Sequence, residues 1–395
     1  MFHTRRTRCT KYFLIATLLG TLLLAGCIGP RGWPGAQLSE NTLFVGTMTG
    51  KVLALNPARG TTKWEWQPTA LAGNATGESS QQSNISSGNI TSSFLSCSKG
   101  GTGQFRAGYI YGAPAIVNGI VYIGYRTGVI YAIDAAKGVE VWEHDIKSSI
   151  LGGLTVANDT IFVGSSNGNL TALDAGNGSL KWDFSTQNEV WATPLVVNGV
   201  VYFGSLDHSL YALNAADGTK EWVFKAEGGI ISTPLVINGV VYIGSFDKKF
   251  YAIDAYTGTQ KWIFNGAGGW FWSEAAYDSG TIYVGSLDHN VYALDALNGT
   301  PVWPQPFKAD SAVKSSLVIA GGVLVVASED GRIYGVGLKT GEKKWEFDRI
   351  KAKVLSPLCA AGDTVYINSQ DNRLYAFDGE TGREVWGVPL YTLDN

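Results

Sequence analysis

The stretch Ala252-Ile-Asp254-Ala-Tyr-Thr-Gly258-Thr-Gln-Lys-Trp262 decides the fold, because it recurs along the chain. Versions of Ala-x-(Asp/Asn)-x3-Gly-x3-Trp begin at Ala54, Ala132, Ala172, Ala212, Ala252, Ala293, Gly335 and Ala376. Seven copies keep every fixed position; the copy at Gly335 departs, with Gly337 in place of the acid or amide. The closing tryptophans are Trp64, Trp142, Trp182, Trp222, Trp262, Trp303, Trp345 and Trp386, spaced 40 to 42 residues apart except between the first two. A period of this length marks a stacked repeat rather than a set of unrelated domains.

Around Ala252 the copy reads as four short runs, Ser232–Ile237, Val240–Ser245, Lys249–Asp254 and Thr259–Phe264. They are β-branched and aromatic, and Asn238-Gly239, Phe246–Lys248 and Ala255–Gly258 punctuate them. That pattern predicts a four-stranded antiparallel meander. One such sheet cannot cover both of its faces, so eight must stack around an axis. The expected fold class is therefore all-β: an eight-bladed β-propeller of four-stranded antiparallel blades, one domain over residues 33–395. Within each copy the glycine is expected to take a strained turn, the Asp or Asn to bond that turn's backbone, and the tryptophan to lie between blades. Gly335 and Gly337 predict a looser third strand and turn in blade seven.

Composition supports one large core. The chain has 395 residues with 50 glycines, 16 phenylalanines, 18 tyrosines and 13 tryptophans, and only 16% are charged. A net charge of −3 without a clustered basic stripe argues against nucleic acid as a partner.

Residues 1–27 read as an export signal. Arg5, Arg6, Arg8 and Lys11 precede an apolar stretch from Tyr12 to Gly26 that is short for a membrane span. Leu24-Ala25-Gly26-Cys27 resembles the lipobox of bacterial lipoproteins, which implies cleavage before Cys27 and acylation of its thiol. Residues 28–32 then form a short tether. Thr7-Arg8-Cys9 lacks the apolar pair of a twin-arginine signal, so general secretion is expected. Ile28 in place of Asp at the next position favours passage to an outer membrane where the host has one. The expected location is extracytoplasmic and membrane-anchored, in the periplasm or on the outer surface.

A polar insertion over residues 67–107, rich in Ser, Gly, Asn and Thr, separates blades one and two and reads as an irregular surface excursion. It holds Cys97. With Cys359 in blade eight, next to blade one in a closed ring, a Cys97–Cys359 disulfide is geometrically open; two free thiols are the alternative.

The repeat resembles the pyrroloquinoline-quinone-type propeller repeat over about residues 33 to 390. That resemblance implies one of two branches. Quinoprotein alcohol or sugar dehydrogenases use pyrroloquinoline quinone with calcium held by Glu, Asn and Asp, beside an adjacent Cys-Cys pair; BamB-type lipoproteins are protein-interaction scaffolds in outer-membrane protein assembly. The chain has no Cys-Cys pair, and its blades are nearly minimal in length. The lipobox, size and bare blades resemble the BamB-type branch, which implies a monomeric, non-catalytic scaffold. It would have no catalytic residue, metal or cofactor, and its partners would be envelope or membrane proteins and, through the lipid anchor, the membrane itself. A propeller binding a small sugar or peptide is a further alternative.

Aligned three residues before a recurring proline, Arg31, Tyr111, Leu151, Trp191, Ile231, Trp272, Lys314 and Val354 are expected to ring one mouth of the central channel. Aromatic and cationic groups there suit a ligand or peptide rim. Glu274 stands beside this ring in the run Gly268-Gly-Trp-Phe-Trp-Ser-Glu274, as either a binding carboxylate or a solvated mouth residue; Glu189 is a weaker candidate. His208 and His289 follow Asp207 and Asp288 at a turn where Asp247, Asp330 and Asp371 recur, which points to turn chemistry rather than calcium. Gly164-Ser-Ser166-Asn-Gly168 matches a nucleophile-elbow pattern but falls in a predicted hairpin, not a strand-to-helix turn.

Overall fold

The computed structural model describes residues 34–68 and 109–390. The signal 1–27, Cys27, the tether 28–32 with Arg31, Cys97 and nearly all of the 67–107 insertion lie outside them. The described chain forms thirty-two strands, in eight four-stranded antiparallel sheets, each built from four strands consecutive in sequence. This is the eight-bladed propeller expected from the repeat.

Blade five shows the local logic. Its strands are Leu235–Ile237, Val240–Gly244, Phe250–Asp254 and Gln260–Phe264. Asn238 and Gly239 both take positive φ, 50° and 75°, so the first hairpin closes with the tight two-residue turn that matches strand twist. The two middle strands are buried along nearly their whole length, because neighbouring blades cover both faces. The outer strand alternates, with Trp262 and Phe264 inward and Gln260, Lys261 and Ile263 outward. Each core cluster spans two blades: Tyr202, Leu210 and Trp222 of blade four pack with Val241, Ile243 and Ile253 of blade five.

The tryptophans join blade to blade. Trp142 Nε1 donates to the Ala175 carbonyl at 3.1 Å, Trp222 to Ala255 at 3.0 Å and Trp262 to Ala296 at 3.0 Å. In five blades the same carbonyl also accepts a tyrosine hydroxyl from the second strand, as Ala296 does from Tyr242 at 2.9 Å. The motif glycine of the receiving blade lies under the indole: a Cβ on Gly258 would stand 2.7 Å from the Trp222 ring. The glycine therefore answers two demands, a φ of 70° and room for the neighbouring ring. A register shift precedes the tryptophan in every blade except six and swings the outer strand locally.

Among the described residues no strand of blade one pairs with blade eight, and the hydrogen bonds across that joint come from side chains. Trp386 Nε1 and Tyr366 Oη both donate to the Pro57 carbonyl, at 3.0 and 3.3 Å, and a Cβ on Gly60 would meet the Trp386 ring. Asn368 adds a buried amide to the same joint, donating to the carbonyls of Pro34 and Gly46 at 2.9 and 3.4 Å.

Two blades are irregular. In blade six Pro301, Pro304 and Pro306 remove backbone donors from the outer edge, leaving one bridge and the two-residue strand Phe307–Lys308, yet Trp303 still docks at 2.8 Å. Blade seven corrects the expectation of a looser third strand. Ile333–Gly337 is wholly buried and paired on both sides, and its turn keeps the backbone bonds Gly337 N to Glu342 O and Gly341 N to Gly337 O, each 2.9 Å. What glycine removes there is a side-chain acceptor: in blade five Asp254 Oδ1 accepts from the backbone N–H groups of Tyr256 and Thr257, both at 3.1 Å.

Candidate functional site

The inner strands enclose a central cavity of about 490 Å³. Tyr111, Leu151, Trp191, Ile231, Trp272 and Lys314 all line it, so six positions of the expected ring converge. They form a wall rather than an exposed rim: Tyr111 and Ile231 are buried, and the others are half-buried. Burial pushes the Tyr111 phenol up, and Arg126 opposes that shift.

Blade eight requires a correction. Val354 is fully buried in the core, and Leu355 lines the cavity. The register is fixed by Ser356, whose hydroxyl donates to the Asn368 carbonyl at 2.7 Å as Ser232 does to Gly244 and Ser315 to Ala327, both at 2.9 Å. Pro357 thus sits one place earlier than Pro234 relative to the sheet. Counting back from the first-strand residue paired to the second strand gives Leu355 from Cys359, as it gives Ile231 from Leu235. Arg31 lies outside the described residues.

Two residues beyond the ring positions come Ala113, Gly153, Thr193, Thr233, Glu274, Ser316 and Pro357, and all of them line the cavity. This second tier was not recognised from the motif alone; counting from the strand-two aromatic would have found it. Glu274 is its one ionisable member. The residue is half-buried, and burial of its carboxyl pushes it up to about 7. Glu189 lies behind the wall and accepts the Trp191 indole N–H at 2.5 Å, fixing that ring. Lys314 stands 5.7 Å from the Trp272 ring centroid and pairs with Glu329 at 2.9 Å, and Glu329 also takes Lys353 at 2.5 Å. Next to the cavity, Phe246 stacks on the exposed Trp270 at 4.6 Å and leans on Trp272 at 5.6 Å.

The other sequence candidates resolve locally. Asp207, Asp247 and Asp288 each cap their own turn through Oδ1, and through Oδ2 accept a tyrosine hydroxyl at 2.6 to 2.7 Å and a backbone N–H from the preceding linker. Burial alone would raise Asp207; the bonds from Ser209, Tyr211 and Gln187 outweigh it and hold the carboxyl low, while burial and that same carboxylate push Tyr211 up to about 12. His208 and His289 take positive φ beside these aspartates, a backbone role. Ser166 lies in a hairpin and donates to the Ser149 carbonyl at 2.9 Å. Cys359 is a half-buried free thiol among the described residues, raised by burial. Its suggested partner Cys97 is outside them.

A ring of four-stranded blades, each docked to the next by a tryptophan over a glycine, defines the class as a PQQ-like repeat propeller. The family described as outer membrane protein assembly factor BamB matches residues 126–230, 210–269 and 265–395, more than half of the sequence, and the chain belongs to that family. Among solved structures it is similar to BamB from Moraxella catarrhalis, with TM-score 0.65 and 18% identity over 88% of this chain and 94% of that one. It is also similar to the computationally designed Ika8 protein, with TM-score 0.69 and 16% identity over 88% of this chain and 97% of that one. At these identities the likeness speaks for the fold. No curated protein matches the sequence.

Proposed function

We propose that this chain is a protein-interaction scaffold of the cell envelope, held at a membrane through acylated Cys27 and serving outer-membrane protein assembly. The observation that carries the reading is the family match across residues 126–395. The lipobox Leu24-Ala25-Gly26-Cys27 supports the anchor. The outer strands favour a binding surface: each is a sheet edge with free backbone groups, and Val141, Val223, Ile263 and Val385 expose apolar side chains there. The cavity favours this branch over a quinoprotein. Calcium in that pattern needs Glu, Asn and Asp converging on one ion, and Glu274 is the one carboxylate among the described lining residues.

Photo-crosslinking in native membranes, from probes placed on the outer strands, tests the scaffold. Capture of outer-membrane assembly proteins is the expected result, and labelling of no envelope protein would refute the reading. Cys27→Ser should move the protein from the membrane to the soluble extracytoplasmic fraction. Apoprotein mixed with pyrroloquinoline quinone and calcium should show no quinone absorbance band; a stoichiometric band would favour the dehydrogenase instead.

A further inference from the structure

Two charged side chains are found among the described residues lining the central cavity, and they are in opposite situations. Lys314 is paired with Glu329 and rests over Trp272. Glu274 forms no hydrogen bond or ion pair with any described residue, and burial is the whole cause of its perturbation, with no neighbouring charge contributing. Its counterparts around the tier are Ala113, Gly153, Thr193, Thr233, Ser316 and Pro357, none of which can neutralise it. Tyr111, held neutral by burial, and Lys314, already paired, are the other titratable groups on the wall, and Glu189 behind Trp191 is engaged with the indole. A partly desolvated carboxylate without a partner among the described residues carries a standing cost, and a bound cation relieves it.

The surroundings select the kind of cation. A divalent metal needs several converging oxygen ligands, and no group of three or more His, Cys, Asp or Glu side chains assembles among the described residues. The wall offers aromatic surface instead. Trp191 is held by its bond to Glu189, lines the cavity and is half-buried, with no ring or cation partner among the described residues. A carboxylate and a fixed indole lining one cavity suit an alkylammonium or quaternary ammonium group, which needs few hydrogen bonds and gains from the ring quadrupole. The cavity volume of about 490 Å³ accommodates a small organic molecule.

We propose that the central cavity binds a small organic ammonium ion, with Glu274 as its counter-ion and Trp191 as its aromatic wall. This assignment does not depend on the scaffold role, since it concerns the axis of the disc and not its outer edges.

Calorimetric titration of the full-length protein in detergent with choline and with its uncharged carbon isostere, 3,3-dimethylbutan-1-ol, tests it. At about pH 8.5 choline should bind at least about tenfold more tightly than the isostere, the equivalent of about 1.4 kcal/mol. That preference should fade in the wild-type protein as the pH is lowered through about 7. Glu274→Gln should abolish the preference while leaving the far-ultraviolet circular dichroism unchanged, and Trp191→Ala should weaken choline further. Equal binding of the two compounds, binding of neither at millimolar concentration, or an undiminished preference in Glu274→Gln would each overturn the proposal. The pH dependence of the wild type decides the matter should the variant not fold.

Discussion

The side-chain amide of Asn368 in blade eight lies 2.9 Å from the carbonyl oxygen of Pro34, which leads into blade one. At the equivalent place other blades carry Gly124, Gly164, Gly204, Gly244, Gly285 or Ala327, which have no such reach. The donor therefore appears at the joint between blades eight and one, whose described strands form separate sheets. Asn368→Ala leaves the buried Pro34 carbonyl without this donor, and Ala327 shows that the alanine itself fits. We expect a loss of about 1 to 3 kcal/mol in urea unfolding. Limited proteolysis should open blade one first; an unchanged midpoint and cleavage pattern would remove this amide from the closure.

Gly199 and Gly218 in blade four have nearly the same φ, 79° and 74°, but different surroundings. A Cβ on Gly199 meets nothing within 4 Å, whereas one on Gly218 stands 2.6 Å from the Trp182 ring. Alanine costs about 1 to 2 kcal/mol at either site through left-handed strain. Gly218→Ala should cost about 1 to 3 kcal/mol more, because it displaces the docked tryptophan. The change in unfolded-chain entropy is common to both variants, so their difference isolates the docking. Equal unfolding midpoints would show that the motif glycine is kept for its turn alone.

The periodicity that made the propeller legible also limited what could be read of the site. Trp, Gly and Asp recur because each blade interface poses the same packing problem, so eight weak signals reinforce one another. The cavity wall has no such repetition. Pro114, Pro194 and Pro234 share one backbone position, but Pro34 and Pro357 do not, and an alignment anchored on proline slipped onto Val354. The Val354-Leu355 pair offers two apolar choices, and only strand register separates them. Glu274 was visible as an acid in the run Gly268–Glu274; that it has no partner among the described residues depends on residues from other blades that sequence order keeps far apart.

Stability should depend on pH through Glu274. Its carboxyl is raised by burial to about 7 in the folded chain, above the ordinary glutamate value. Between those two values the folded state holds more protons than the unfolded one, so stability falls as pH rises, and the loss is complete above about 7. Below the ordinary value the group is protonated in both states and contributes nothing. Glu274→Gln should therefore raise the thermal midpoint at about pH 8 and leave it unchanged near pH 4. A lower midpoint for the variant at the higher pH would mean that the carboxylate is stabilised by a partner.

Blade seven offers a test of how the tryptophan is seated. In the other seven blades the ring rests against an aromatic on the second strand at 5.6 to 6.0 Å, as Trp262 does on Tyr242. The paired position in blade seven is Val325, and a Cβ on Gly335 would stand 2.2 Å from Trp345. The indole has settled into the space that an alanine and an aromatic ring fill elsewhere. Gly335→Ala alone should then cost about 1 to 3 kcal/mol by driving Trp345 off its seat. Val325→Tyr alone should also destabilise, since Trp345 occupies the place of the new ring. Together they rebuild the arrangement of the other blades, with a hydroxyl positioned to reach the Gly379 carbonyl that Trp345 already uses at 3.1 Å. The double variant should be more stable than the sum of the single losses by at least about 1 kcal/mol in urea unfolding. Strict additivity would show that Trp345 is held by blade eight and not by its own sheet.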